Sequence, residues 1–491
     1  MHAVRVAIAV AVAGIAPSSA SAADLAADPG TFASVFAAAH GGDTITLAAG
    51  DYGQFKGAVK PSTVTIRSAP GATARLSLQF TAARNLQLEG LTITEARLAA
   101  STRDVTIANS TFTGVAVVDA RGMAASNIVF DGDRFPNIDK CGDCYEGRLT
   151  VVGTSSDAPS GVVVKHSVFG PGGNTDGIQV GANGVQILDN EFTGIHASGG
   201  VHTDAIQLYG SHNTVIRGNW IHDSATGIMA PDGTDHELIE NNVIDPGSYP
   251  FAVQIGSDVG SVFRHNTLPD GACDFNLRCG IIVVGAKDGM APSQGTVVMD
   301  NVLGEVSVQA GSTPQVDYNL VANARARGAH DIVGKPQYAG GATPTSLPGF
   351  LLAAGSRGKG DASDGTDRGI ALTSTAGPGT AAPPPQTGSP GAAPLAKPSL
   401  KLVAHRRVTR AQLRRGLRVR VSSQQGVRVS LRLSRRGSTR ALVAGSGTLS
   451  RTTRTFVLKS KRARKGLLTL RVAVRNAAGT TTVKRTIRVV R

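Results

Sequence analysis

The sequence predicts an all-β chain whose larger part is a parallel β-helix, a solenoid of stacked turns built from short strands, followed by a small β-sandwich. Three observations predict it. A six-residue frame recurs between Leu88 and Leu303, Val, Ile, Thr, Asn and Gly dominate the turns around it, and residues 398–491 switch to apolar–charged alternation. At 41% hydrophobic residues the chain has ample material for a buried core.

The frame reads apolar, two variable residues, a small or polar residue, one more, then apolar. It occurs as Ile107–Phe112, Val164–Phe169, Ile187–Phe192, Ile216–Ile221, Ile239–Ile244, Phe263–Leu268 and Val298–Leu303, and Leu88–Ile93 and Phe130–Phe135 fit it too. Its fourth position falls at 91, 110, 133, 167, 190, 219, 242, 266 and 301, giving spacings near 23 with longer exceptions where loops are inserted. Each unit is too short to bury a face alone, so stacking supplies both core and hydrogen-bond partners. Asn190, Asn219, Asn242, Asn266 and Asn301 should then form an inward ladder, each rung about 4.8 Å from the next and bonded to backbone. A leucine-rich horseshoe would need leucines at fixed positions and helical segments.

Taken in order, residues 1–22 carry Arg5, an uncharged apolar run and Ser-Ala-Ser-Ala before Ala23-Asp24, the pattern of a cleaved secretory leader. A membrane anchor needs about 20 apolar residues, and Pro17 ends this run early. No other candidate span follows. The solenoid is assigned to 23–372. Thr31–Ala39 is a short helical pattern with Phe32, Val35 and Phe36 on one face, suited to capping the first turn, and Gly41–Leu47 reads as turn and first strand. Pro336–Leu351 and Asp361–Gly369 read as an irregular closing segment. Residues 373–397, with Pro383-Pro384-Pro385, read as a linker. Beyond it, stretches such as Leu417–Val421 and Val427–Leu433 have period two, and about seven of them suggest an immunoglobulin-like sandwich.

Charge divides the chain. Residues 391–491 hold 27 of its 50 Lys and Arg and none of its 35 Asp and Glu, which leaves 23 basic against 35 acidic residues elsewhere, a net of −12. The two parts must meet different partners. The arginines suit an anionic surface polymer bound in a salt-dependent way, or a solvated spacer, and no recognition helix or aromatic platform suggests specific nucleic-acid reading. The four cysteines form close pairs, Cys141/Cys144 and Cys273/Cys279. Export permits a local disulfide in each. A redox centre would want a βαβ context, and a shared zinc site would require the two loops to meet.

The repeats, capping segments and leader together resemble the right-handed parallel β-helix superfamily, the pectin-lyase-like group, over residues 24–372. That group includes pectate lyases, polygalacturonases, chondroitinase-B-like and alginate lyases, mannuronan epimerases and phage tailspikes. The resemblance therefore implies a right-handed coil and extracellular polysaccharides as a class, with no single reaction. Asn174-Thr175-Asp176-Gly177 resembles the Asn-Thr-Asp-Gly signature of polygalacturonases, and His202-Thr203-Asp204 sits where those enzymes place paired aspartates. Thr203 replaces one of that pair, Thr226-Gly227-Ile228 stands where Gly-His-Gly would be, and Arg-Ile-Lys is absent, which argues against that mechanism. Pro231–His236 is similar to the Asp-Pro-His segment of mannuronan epimerases only in part, since order and spacing differ.

Aligning the turns puts Gln179, Gln207, Met229 and Gln254 in register, outward on one sheet, where amides can bond sugar hydroxyls or simply face solvent. Asp176 and Asp204 begin neighbouring strands. Carboxylates about 5 Å apart can share a proton, hold a calcium ion, serve as the acid and nucleophile of a retaining glycosidase, or merely cap turns. A lyase needs a base and a cation against the uronate carboxylate. His196, His202, Arg217, His222, His236 and Lys287 are the nearby basic groups, and Tyr209, Trp220 and Tyr249 could stack on sugars. The candidate catalytic set is Asp176, Asp204, His202, His222, His236 and Lys287. Gln179, Gln207, Gln254, Tyr209 and Arg217 are the candidate substrate contacts. The expectation is a secreted protein that binds, and in a lyase reading cleaves, an acidic extracellular or cell-wall polysaccharide. The alternative is a non-catalytic surface or adhesion module. Convergence of these groups in one groove would favour the lyase, and dispersal the binder.

Overall fold

The computed structural model describes residues 22–371 except 124, 141–144, 197–202, 248–250, 272–278, 288 and 323–325, and residues 401–490 except 405–406, 416, 423–426, 436–440, 450–452, 461–464 and 477–478. The chain divides near residue 375 into two compact units.

The short strands described in the first unit pair in parallel, each turn with the turns before and after it, as a right-handed β-helix requires, and the one antiparallel bridge among the described residues, Tyr338 to Leu352, lies in the closing segment. One sheet has 13 strands, from Asp24–Ala27 to Thr313–Asp317. A second ladder runs through Gly147–Val152, Asp176–Val180, Ile206–Leu208, Ile228–Ala230, Phe251–Gly256 and Ile281–Gly285. A third runs through Arg134–Phe135, Val168–Phe169, Glu191–Ile195, Trp220–Ser224 and Val243–Gly247. Inward side chains stack like on like. The last frame position lays Phe112, Phe135, Phe169 and Phe192 over one another, with ring centroids 4.3, 4.5 and 4.9 Å apart. All four are fully buried, each removing on the order of 150–250 Å² from water.

The fourth frame position forms the expected ladder. The Asn190 N–H donates to Asn219 Oδ1 (2.9 Å), Asn219 to Asn242 (2.9 Å), Asn242 to Asn266 (3.1 Å) and Asn266 to Asn301 (2.9 Å). Each Asn amide also donates to a carbonyl one turn back, as Asn242 Nδ2 does to Ile216 O at 2.9 Å. The ladder runs beyond the asparagines of the motif in both directions. Ser110, Asp133 and Ser167 precede it, and Asn319 and Asp331 follow. The third frame position is not free to vary. Asn109, Gly132, His166, Asp189, Gly218, Asn241, His265 and Asp300 all have φ between 50° and 70°. This left-handed bend is open to Gly and eased for Asn, Asp and His.

The helix spans Phe32–Ala38 with Phe32 and Phe36 buried. Thr44–Leu47 is not the first strand, because Asp24–Ala27 precedes the helix and pairs in parallel with Thr44–Leu47. The closing segment does more than end the stack. Phe350 and Ile370 pack on Val243 beside Trp220 and Tyr338, and the Ala371 N–H reaches back to Asn241 Oδ1 at 3.0 Å, covering the third ladder from outside.

The second unit has an antiparallel core. Its described strands form a sheet of five and a sheet of three around one apolar cluster that includes Leu417, Val419, Leu431, Leu470, Val472 and Ile487. Arg407–Thr409 alone joins in parallel, beside Gly479–Val490. The leader, the linker and Cys141, Cys144 and Cys273 lie outside the described residues. Cys279 is buried and disulfide-bonded. No described helix is long and apolar enough to cross a membrane.

Candidate functional site

The outward position of the second ladder carries the expected register. Thr150 pairs with Gln179, Gln179 with Gln207, Gln207 with Met229 and Met229 with Gln254. Strand spacing of about 4.8 Å lets neighbouring amides meet, and Gln179 Nε2 donates to Gln207 Oε1 at 2.6 Å. Beside them opens a cleft of about 650 Å³ lined by Tyr145, Glu146, Gln179, Gln207, Tyr209, Gly210 and Asp232. Two glycines shape it. A Cβ on Gly181 would stand 2.8 Å from the Tyr209 ring, and one on Gly147 3.1 Å from Gln179 Cγ.

Electrostatically the cleft is mixed. Lys287 ion-pairs with Asp232 from the turn after Ile281–Gly285, and Lys140 ion-pairs with Glu146. Burial, with Tyr145 nearby, pushes the Tyr209 phenol up to about 12, so it stays neutral and works as donor and apolar plate. Beneath the floor, Arg148 is fully buried and donates to the Thr175 and Gly172 carbonyls. Burial pulls its guanidinium down to about 10, against the attraction of Asp176. Tyr145, Glu146, Arg148 and Asp232 carried no signal in the repeat frame, because three of them lie in inserted loops or turns and Arg148 is an inward cation in an apolar row.

Asp176 and Asp204 do come together, but beneath the surface. Both are buried, the Asp204 N–H donates to Asp176 Oδ1 at 2.8 Å, and Gln179 Nε2 donates to Asp176 Oδ2 at 2.8 Å. Asp204 Oδ1 accepts from Thr226 Oγ1 at 2.6 Å. Both Asp176 oxygens and Asp204 Oδ1 thus accept from neighbouring donors, as turn-capping carboxylates do.

The remaining candidates disperse. Arg217 lies on the 13-stranded sheet, where it and Arg264 flank Glu240, at 2.6 Å and 2.7 Å. His222 is on the third ladder, stacked on Trp220 (3.9 Å between centroids) and 2.8 Å from Glu191. Asp245 follows it in register, its carboxyl raised by burial against the opposing pull of His222. His236 lies at a corner, beside Asp235 and His212. Gln254 and Lys287 stay on the cleft side, with Met229 between Gln207 and Gln254. His202 lies outside the described residues.

No family model matches the chain, and none of the curated proteins matches it. Three solved structures show what it is similar to. An alginate lyase of family PL6, AlyGC, is 15% identical with a TM-score of 0.45, over 70% of this chain and 58% of that one. The pectate lyase Pel9A is 13% identical with a TM-score of 0.31, over 71% of this chain and 95% of that one. PfbA, a surface adhesin of Streptococcus pneumoniae, is 12% identical with a TM-score of 0.36, over 59% and 85%. The chain thus spans little more than half the length of AlyGC, and these likenesses extend to the solenoid fold alone.

Proposed function

We propose that this is an exported protein that holds an extended polysaccharide in the cleft between Tyr145 and Tyr209, along the Gln179–Gln207 floor. One observation carries the reading: two amides in register at strand spacing, with a neutral phenol on the wall, form a polar floor and an apolar plate at the scale of a sugar ring. Amides bond hydroxyls, and Tyr faces stack on the C–H side of a pyranose. Uronates are the favoured residues, because Lys287 and Lys140 stand at the cleft with carboxylates as their present partners. Elimination chemistry belongs at Lys287, which is on the cleft side while Arg217 and His222 occupy other faces. There its ammonium would neutralise a uronate carboxylate, the condition under which a base can take the adjacent ring proton while the glycosidic C–O bond breaks and water protonates the leaving oxygen.

The basic unit fits a second, anionic polymer. Arg432, Arg471 and Lys484 are exposed, on adjacent strands and directly opposite one another, a like-charged row that costs stability unless a polyanion covers it. Incubation of the exported protein with pectate, alginate and glycosaminoglycans, with and without calcium, tests the reading through ultraviolet absorbance of unsaturated ends, reducing ends and retention in polymer-containing gels. Retention with unsaturated product supports both binding and elimination. Retention alone removes the elimination step, and neither removes the reading.

A further inference from the structure

Away from the cleft floor, at the corner that follows the second ladder, three potential ligands from two consecutive turns meet. His212 and Asp235 occupy equivalent positions in the stack, paired in a continuous parallel bridge from Asn183 through His212 and Asp235 to Val259. His236 follows Asp235, and its ring sits edge-on to that of His212, with centroids 5.8 Å apart and planes at 81°. One carboxylate serves both rings. Asp235 Oδ1 contacts His236 Nδ1, and Oδ2 lies 3.5 Å from His212 Nδ1.

One feature is unexplained by folding. His212 Nδ1 is sealed from solvent and makes no hydrogen bond, an arrangement that costs stability in a finished structure. His236 adopts the left-handed conformation (φ 62°), which the neighbouring turns assign to Asn213 and Gly260. Gly260 also leaves the space in which the His236 ring rests, since a Cβ there would stand 3.2 Å from Nε2.

We infer that His212, Asp235 and His236 bind a divalent first-row metal ion, with zinc as the fitting case. Two imidazoles and one carboxylate are a donor set zinc accepts, and three protein ligands leave a fourth position for water or another ligand. The donor atoms lie within 4.8 Å of one another. Tetrahedral zinc, at about 2.0–2.1 Å per bond, sets ligand atoms about 3.3 Å apart, a closure that the exposed His236 side chain can supply by rotation. The ion would come between Asp235 and His236, satisfy His212 Nδ1, and tie one turn to the next.

The test is titration of metal-free full-length protein with zinc in competition with a chromophoric chelator, followed by the melting temperature with and without zinc. One equivalent is expected, with a zinc-dependent rise in melting temperature. His236→Ala changes an exposed side chain, and His212→Asn installs the residue found at Asn183 in the same stack. Each should weaken binding about tenfold or more and abolish the thermal rise, while the metal-free melting temperature stays near that of the parent. Less than one equivalent bound, or equal affinity in parent and both variants, overturns the inference. The polysaccharide reading is untouched by either result.

Discussion

Asp133 is the one acidic rung within the part of the ladder otherwise built from Ser and Asn. Its Oδ1 accepts the Ser110 N–H at 2.8 Å, and its side chain is wholly buried. Burial dominates the opposing backbone hydrogen bonds and raises its carboxyl from 3.8 to about 8. A raised acid favours the neutral form in the folded state. Its stability contribution is therefore complete below about pH 4 and lost as pH rises through about 8. Each tenfold change in a protonation equilibrium is worth about 1.4 kcal/mol, so the residue should remove on the order of 4 kcal/mol between about pH 5 and about pH 8.5. Asp133→Asn keeps the acceptor and adds an amide that can donate to the Ile107 carbonyl, as Asn190 does to Val164 O at 3.0 Å. Urea unfolding at the two pH values, followed by far-ultraviolet circular dichroism, should show the variant losing about 4 kcal/mol less than the parent. An identical pH slope in the two proteins would refute the reasoning, because Glu237, also raised by burial to about 7, contributes equally to both.

Three further outcomes follow from the same geometry. Asn242→Ala removes the acceptor of the Asn219 N–H and leaves the Ile216 carbonyl without its amide partner, so urea unfolding should show a loss of about 2–4 kcal/mol. Gly181→Ala drives a methyl toward the Tyr209 ring, and should weaken glycan retention while costing about 1–3 kcal/mol in a thermal melt. Arg471→Gln breaks the middle of the Arg432–Arg471–Lys484 row, and should lower the salt dependence of binding to an anionic polymer such as teichoic acid by about one charge in a log–log plot.

Much of the stacking was legible because a parallel solenoid repeats its contacts. Asn190 to Asn301, and Gln179 through Gln254, followed from register alone. Facing was harder to read. Arg217 and His222 belong to the same turn as Tyr209, yet corners place them on the 13-stranded sheet and the third ladder, and no residue period marks a corner. The signal was present in part, since the third frame position always bends left-handed, but Asn109, Gly132 and His166 look unrelated until that φ is known. Asp176 and Asp204 were legible as neighbours but not as buried, because a polar residue opening a strand reads alike whether it caps a turn or faces a ligand. His212 escaped notice because its partner Asp235 is one stacked turn away, behind a spacing of 23 residues.

The most direct test of the cleft is the affinity of the full-length protein for a retained oligouronate, measured by titration calorimetry for the parent and for Gln207→Ala/Tyr209→Ala. Polymer held along the Gln179–Gln207 floor predicts a loss of about tenfold or more in the double variant with little change in melting temperature. Undiminished affinity in a folded double variant would contradict the account and move the binding surface elsewhere.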